Sequence, residues 1–375
     1  MKFARLSAIL TLSLISSIGC RTIVVSSWVP SDTSQAFAQV RVLLSEASSE
    51  ESFKSTGTIE VWDANDLVIK KAYEFLSMDP TLIKAPIKIT SNAGYLEYKG
   101  GKYRGHIEIK PSNGKILILN IVNIETYLMS VVPSEVPASW PEEALKAQAV
   151  CARTYVVREM IAKRKAPYDV DTTTNTQVYR GMAKENQKTN QAVEDTQGLI
   201  LLYNGSPIQS FFHSNSGGVT EDPLNVWGNK VEYLTSVRSD YDKEGDNYAW
   251  EEKMDQAQIN SALASLGVGE VQDLIVVNRF ASSRVNEIDV IGSATTKRIK
   301  ATEFRKLLGA TKLKSTRFGI RRESDGKFFV KGLGSGHGVG LSQWGSYAMA
   351  KENFDYKEIL NHYYKGVSFA RMAQN

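Results

Sequence analysis

The apolar positions change period several times along the chain, and each change predicts a different element. An apolar run, Leu6 to Ile18, without a charged residue, is followed by a Ser-rich stretch, Arg21 to Gln35, with no sustained period. A strand pattern begins at Ala36 to Leu44, and from Ser52 to Lys110 short β-prone runs alternate with turn signals such as Ser91-Asn-Ala-Gly94 and Lys99-Gly-Gly-Lys102. Lys115 to Ile124 continues as a nearly fully apolar strand. Trp140 to Lys165 carries the clearest helical pattern: Ser139 and Glu142 have capping-box spacing, Pro141 suits the first turn, and Glu142 and Glu143 suit the positive end of the dipole. Its body, from Ala144 to Val157, is rich in small residues that permit close packing, so this helix is expected at the centre of the molecule.

Two strands follow, Gly198 to Tyr203 and Gln209 to Ser214, and then a loop, Asn215 to Trp227, long enough to be functional. Gln256 to Leu266 and Lys297 to Leu308 read as helices, with strands between them at Leu274 to Val277 and Arg284 to Ile291. The chain ends in a Gly-rich turn, Gly332 to Gly340, and helices near Ser342 to Lys351 and Tyr356 to Tyr364. The pattern predicts an α+β fold, a β-rich N-terminal region packed with a mixed α/β body around the long helix. Its expected divisions are 36–126 for the β-rich part, 127–250 for a core, 251–331 for an α/β insert and 332–375 for a segment completing the core.

Composition narrows the class. Of 375 residues 42% are hydrophobic and 23% charged, the balance of an ordinary globular chain. A formal charge of +4 is too weak to argue for nucleic acid as partner. Two cysteines, Cys20 and Cys151, exclude a disulfide scaffold and a four-cysteine zinc site. Cys151 reads as a small core residue.

Lys2 and Arg5, the apolar run and Gly19 directly before Cys20 read as an export signal. A small residue before a cysteine resembles a bacterial lipoprotein signal, with Cys20 lipidated, residues 1–20 forming the signal and residues 21–35 a tether to the membrane. Plain secretion and a retained helix are the alternatives, although the run is shorter than the roughly 18 residues a span requires. Ser17 stands where such signals usually have Leu.

Five segments place polar groups in unusual company. In Val131-Val-Pro-Ser-Glu-Val-Pro137, Glu135 sits between prolines and apolar neighbours, the setting that raises a carboxyl pKa towards general-acid use; an exposed loop glutamate is the plain alternative. On the long helix Gln148, Arg153 and Tyr155 interrupt a small apolar pattern but do not share one face, so at least one is structural. Asp171 to Gly181, with Gln177 and Tyr179, offers hydroxyls, amides and an aromatic face of the kind that suits a sugar. Phe211-Phe-His-Ser-Asn-Ser-Gly-Gly218 contains His213 and Ser214 without a nucleophile-elbow pattern. Gly332-Leu-Gly-Ser-Gly-His-Gly-Val-Gly-Leu-Ser-Gln-Trp-Gly345 fits no phosphate-loop motif and surrounds His337 with little side-chain bulk.

In this order, and together with Pro141-Glu-Glu-Ala-Leu-Lys-Ala-Gln-Ala-Val-Cys-Ala-Arg-Thr-Tyr155, these segments resemble the SpoIID/LytB family of bacterial cell-wall proteins, most closely at 127–227 and from 332 onward. The resemblance implies a peptidoglycan lytic transglycosylase acting on glycan strands freed of stem peptides, with Glu135 as catalytic acid. It further implies a substrate cleft using Gln148, Arg153, Gln177, Tyr179, His213, Ser214, Asp240, His337 and Gln343. No cofactor follows from it. Some members hold zinc through a histidine and two nearby cysteines, and the absence of cysteine after Cys151 predicts no metal here. Other relatives modify wall amidases without cutting glycan, which leaves a non-catalytic glycan-binding enhancer of an amidase as the rival reading.

Overall fold

The computed structural model describes residues 26–28, 39–173 and 176–372. Cys20 and the apolar run before it lie outside the described residues. The fold is α+β, as the pattern predicts. Among the described residues the α-helices are α1 (Ile124–Glu135), α2 (Glu142–Ala162), α3 (Gln187–Asp195), α4 (Pro223–Trp227), α5 (Gln256–Leu263), α6 (Ala301–Leu308), α7 (Gln343–Lys351) and α8 (Tyr356–Tyr363).

The N-terminal part is a curled nine-stranded sheet in which Gln39–Ala47 pairs antiparallel with Lys115–Asn123, and His106–Ser112 continues the order on the other side. Alternate residues of its strands, among them Phe53, Ile59, Ile89, Ile107 and Ile109, point into one apolar core. Lys115–Asn123 is apolar on both faces because both are covered: Ile118 faces this core, Leu119 and Ile121 pack with Leu43 and Tyr168, and Val122 joins the core of the body.

Helix α2 is central, as expected from its small residues. Leu145, Ala149 and Val156 enter one core with α1, while Ala147, Val150 and Cys151 enter another with α7 and α8. Its N-terminus differs from the expected capping box. Pro141 occupies the cap position and no side chain caps the helix; Glu142 and Glu143 instead hold Lys146, at i,i+4 and i,i+3, each about one turn away.

Helix α1 was not predicted. Its β-branched residues and Pro133 favour extended backbone locally, but burying Tyr127, Leu128, Val131 and Val132 in the body core overrides that preference. Pro137 then forces Val136 out of the helical region, and the helix stops at Glu135. The segment 249–333 has its own core, including Trp250, Phe304, Phe318 and Val330, under two three-stranded sheets. Its strands Thr296–Lys300, Phe318–Arg322 and Phe328–Leu333 also went unpredicted, the first because Lys297 to Leu308 reads as one helix. Within the stretch expected to be a tether, the main chain of Ser26–Trp28 runs parallel to Ser368–Met372 and takes that strand's open edge.

Candidate functional site

A cleft of about 550 Å³ opens where the ends of α1, α4 and α6 meet the Phe211–Ser214 segment and the Gly-rich turn. Glu135, the last residue of α1, stands in its wall. The carboxylate accepts one hydrogen bond, from the Val178 amide at 3.2 Å, and has no ion-pair partner among the described residues. Burial pushes its pKa up from the ordinary glutamate value, and the Val178 amide pulls weakly the other way. The negative end of the α1 dipole acts in the same direction as burial.

Opposite, Phe212–His213 pairs in parallel with Leu341–Ser342, which brings the Phe-His segment beside the Gly-rich turn. The backbone of Val339 fixes both cleft histidines: His213 Nδ1–H donates to its carbonyl at 3.1 Å, and its amide donates to His337 Nδ1 at 3.0 Å. Burial lowers both pKa values, that of His337 to about 4, with the Arg284 charge adding to the effect on each, so both rings are neutral at pH 7. With Nδ1 carrying the proton, His213 Nε2 is an acceptor, and it is buried without a protein partner.

Gly336 and Gly340 make this strand crossing possible. At φ +103° a Cβ on Gly336 would stand 2.8 Å from the Cβ of His213, and at φ +73° one on Gly340 would collide with the Phe211 carbonyl oxygen. The rings of Phe211, Trp227 and His337 lie against one another, with centroids 4.7 to 6.2 Å apart, and Trp227 remains 44% exposed. This is an apolar shelf facing a carboxyl.

A buried carboxylate braces the base of the cleft. Asp242 accepts from the amide of Ser216 and the hydroxyls of Ser239 and Ser342, tying the loop after His213 to the start of α7. Gln343, the first residue of α7, donates from Nε2 to the Glu135 carbonyl at 3.3 Å.

Five of the residues predicted from the sequence therefore meet in one cleft: Glu135, His213, Ser214, His337 and Gln343. The other five stand elsewhere. Arg153 is fully buried, bound to Glu125 and to the carbonyls of Val193 and Leu199, where it joins α2 to α1, α3 and a strand. Gln177 bonds Tyr127 and the Ala152 carbonyl, and Tyr179 stacks on Tyr127 and donates to Asn120. These two shape the segment that supplies the Val178 amide. Gln148 is buried on α2 and its amide has no partner among the described residues. Asp240 is exposed and paired with Arg238, and the buried carboxylate is two residues on.

Seven further residues lining the cleft were not predicted as site residues: Phe211, Phe212 and Gly336, which lie in the motifs themselves, and Tyr155, Thr176, Trp227 and Arg305. Tyr155 is on the helix face seven residues from Gln148, and Trp227 ends the loop already marked as long; Arg305 carries no local signal at all. Among the described residues no three His, Cys, Asp or Glu side chains stand close enough to hold a metal ion. Cys151 donates towards the Ser210 carbonyl in the core, where burial raises its pKa to about 12.

Fold and site thus define an α+β protein whose cleft presents one partly buried carboxyl to an aromatic shelf. Comparison with known proteins gives this arrangement a family. Residues 112–203 match the Stage II sporulation protein (SpoIID) domain, and residues 219–340 match a domain of unknown function (DUF8618). The chain is 34% identical to Stage II sporulation protein D of Bacillus subtilis over 269 residues, 66% of this chain and 75% of that protein. It is 37% identical over 271 residues to an uncharacterised protein of Brachyspira hyodysenteriae, 72% of each. The amidase enhancer of Bacillus subtilis is 31% identical over 64% of this chain and 40% of that protein. The chain belongs to the SpoIID/LytB family.

Proposed function

We propose that the protein is a peptidoglycan lytic transglycosylase that cuts the glycan between N-acetylmuramic acid and N-acetylglucosamine, on strands freed of stem peptides. The observation that carries this reading is the single carboxyl: among the described residues Glu135 is the one acidic side chain lining the cleft, and burial favours its protonated form. Ordinary retaining and inverting glycosidases require two carboxyl groups at defined separations. One suffices when the sugar attacks itself.

In the first half of the reaction Glu135 gives its proton to the glycosidic oxygen, the C1–O bond breaks, and the leaving sugar departs with a free hydroxyl. The resulting carboxylate, held by the Val178 amide, takes the proton from the C6 hydroxyl of the oxocarbenium sugar as O6 bonds to C1. A 1,6-anhydro ring closes, Glu135 is protonated again, and no water is consumed. The shelf of Phe211, Trp227 and His337 suits the apolar face of a sugar ring, and the Tyr155 and Ser214 hydroxyls supply neutral donors for its edge. His213 and Ser214 make no hydrogen bond to each other, which argues against an acyl-transfer pair.

The name of the amidase-enhancer relative supports association with a wall amidase as a partner. Export and anchoring through Cys20 rest on the sequence alone and belong to the same proposal. The chemistry is tested by digesting stripped peptidoglycan with the full chain in H2 18O: the lytic reading requires 1,6-anhydro ends without 18O, whereas one 18O per new reducing end establishes hydrolysis instead. No cleavage of any strand favours the enhancer reading.

A further inference from the structure

The cation on the cleft wall has no anionic partner among the described residues. Arg305, from α6, lines the same cleft as Glu135. Its Nε–H donates to the Leu313 carbonyl at 2.8 Å and its Nη2 to the Lys314 carbonyl at 3.0 Å, so one edge of the guanidinium is locked onto main chain. Three N–H bonds remain, including the end-on pair from Nη1 and Nη2, and no described residue accepts from them. No acidic side chain pairs with Arg305, and burial alone lowers its pKa. The other large cation nearby, Arg284, is fully buried rather than open to the cleft: it donates to the Ser216 carbonyl at 2.9 Å and feels the charges of Glu221 and Asp242, while its Nε and Nη1 have no partner among the described residues. A guanidinium fixed on one edge and open on the other is the geometry that binds a carboxylate through two parallel hydrogen bonds.

Resting on the reading of the cleft as a glycan site, we propose that Arg305 recognises the free lactyl carboxylate of a muramic acid whose stem peptide has been removed. In a strand that still carries its peptide this carboxyl is tied up in an amide, which has no charge to offer the fork. Glu135, Tyr155 and Thr176 fall within the matched 112–203 segment, while Trp227, Arg305 and His337 fall within 219–340. The domain of unknown function thereby acquires a role: it supplies two of the three shelf rings, Trp227 and His337, and the anion clamp against which the acid works. The carboxylates of a stem peptide are the other source of this chemistry in the cell wall.

The test is binding to the full chain carrying Glu135→Gln, which separates recognition from cutting. Three tetrasaccharides of alternating N-acetylglucosamine and N-acetylmuramic acid are compared by calorimetry: with free lactyl carboxyls, with those carboxyls converted to methylamides, and with stem peptides attached. The expected result is affinity for the free acid about tenfold above the methylamide, the range of one charge-assisted hydrogen-bonded pair. Adding Arg305→Gln abolishes the ratio, and Arg305→Lys, which keeps the charge but not the fork, reduces it several-fold. Equal affinity for acid and methylamide, or a ratio that survives Arg305→Gln in a folded protein, overturns the assignment. Tightest binding of the peptide-bearing sugar, lost on Arg305→Gln, also overturns it and places the carboxylate in the peptide. If Arg305→Gln does not fold, the ligand comparison and Arg305→Lys decide. The ratio can fail while the parent chain still forms 1,6-anhydro ends, and can hold where it forms none, so this inference and the proposed activity fail separately.

Discussion

Removing the carboxylate of Glu125 tests whether Arg153 holds the fold or the substrate. Glu125 binds Arg153 through contacts of 2.6 Å at Nη2 and 3.0 Å at Nε, with side-chain exposures of 15% and 0%. Breaking a buried ion pair costs about 3–5 kcal/mol because the remaining charge is stranded. Arg153 keeps its bonds to the carbonyls of Val193 and Leu199, and Glu125 is partly wet, so the lower end, about 3 kcal/mol, is expected for Glu125→Ala. At about 1–2 °C per kcal/mol for a chain of this length, Tm falls by roughly 3–6 °C in a thermal melt. Glu125→Gln falls between, and in the double variant with Arg153→Met the two losses do not add, since either change alone has already broken the pair. At 25 °C, where the variants remain folded, KM for stripped peptidoglycan is unchanged. An unaltered Tm with a raised KM would refute the structural assignment of Arg153.

Three further outcomes follow from the same geometry. Gly336→Ala drives a methyl group towards His213 at a φ of +103°, and is expected to lower stability by about 1–3 kcal/mol and to cut activity more than its Tm predicts, read by melting and turnover together. Because burial raises the pKa of Glu135 in the folded chain, its contribution to stability is complete below the unfolded value of about 4.3 and is lost as pH rises through the native value. Glu135→Gln, always neutral, should therefore match the parent's Tm in acid and exceed it at neutral pH, while the parent's kcat falls as the acid ionises; a Tm difference independent of pH would count against a buried acid. Cys151, with its pKa near 12 and no exposure, should resist thiol reagents until the chain unfolds, and labelling at the rate of a free thiol would contradict its place in the core.

What the sequence revealed and what it hid divide on physical grounds. The central helix was legible because its small residues repeat over 21 positions, and Lys115–Asn123 because both faces are apolar. Helix α1 was not, since its residues prefer extended backbone and only the core around Tyr127 and Val131 reverses that preference. Glu135, His213, Ser214, His337 and Gln343, which share one cleft, were named from motifs that resemble those of the family. Arg153 sits in an equally marked segment, yet a motif does not say which side of a helix faces solvent and which meets Glu125. Asp240 and Asp242 lie in one acidic stretch, and only the fold decides which is buried against Ser216 and Ser342. Arg305 was invisible because an arginine on a basic, amphipathic helix looks like any surface cation until the insert is docked on the cleft.

The central claim is that one carboxyl both gives and takes the proton. It is tested most directly by treating stripped peptidoglycan with the full chain and with its Glu135→Gln variant side by side, with mass spectrometry of the released fragments. The account predicts 1,6-anhydromuramic ends from the parent and none from the folded variant. Fragments with the same ends, released at the same rate by the variant, would contradict it.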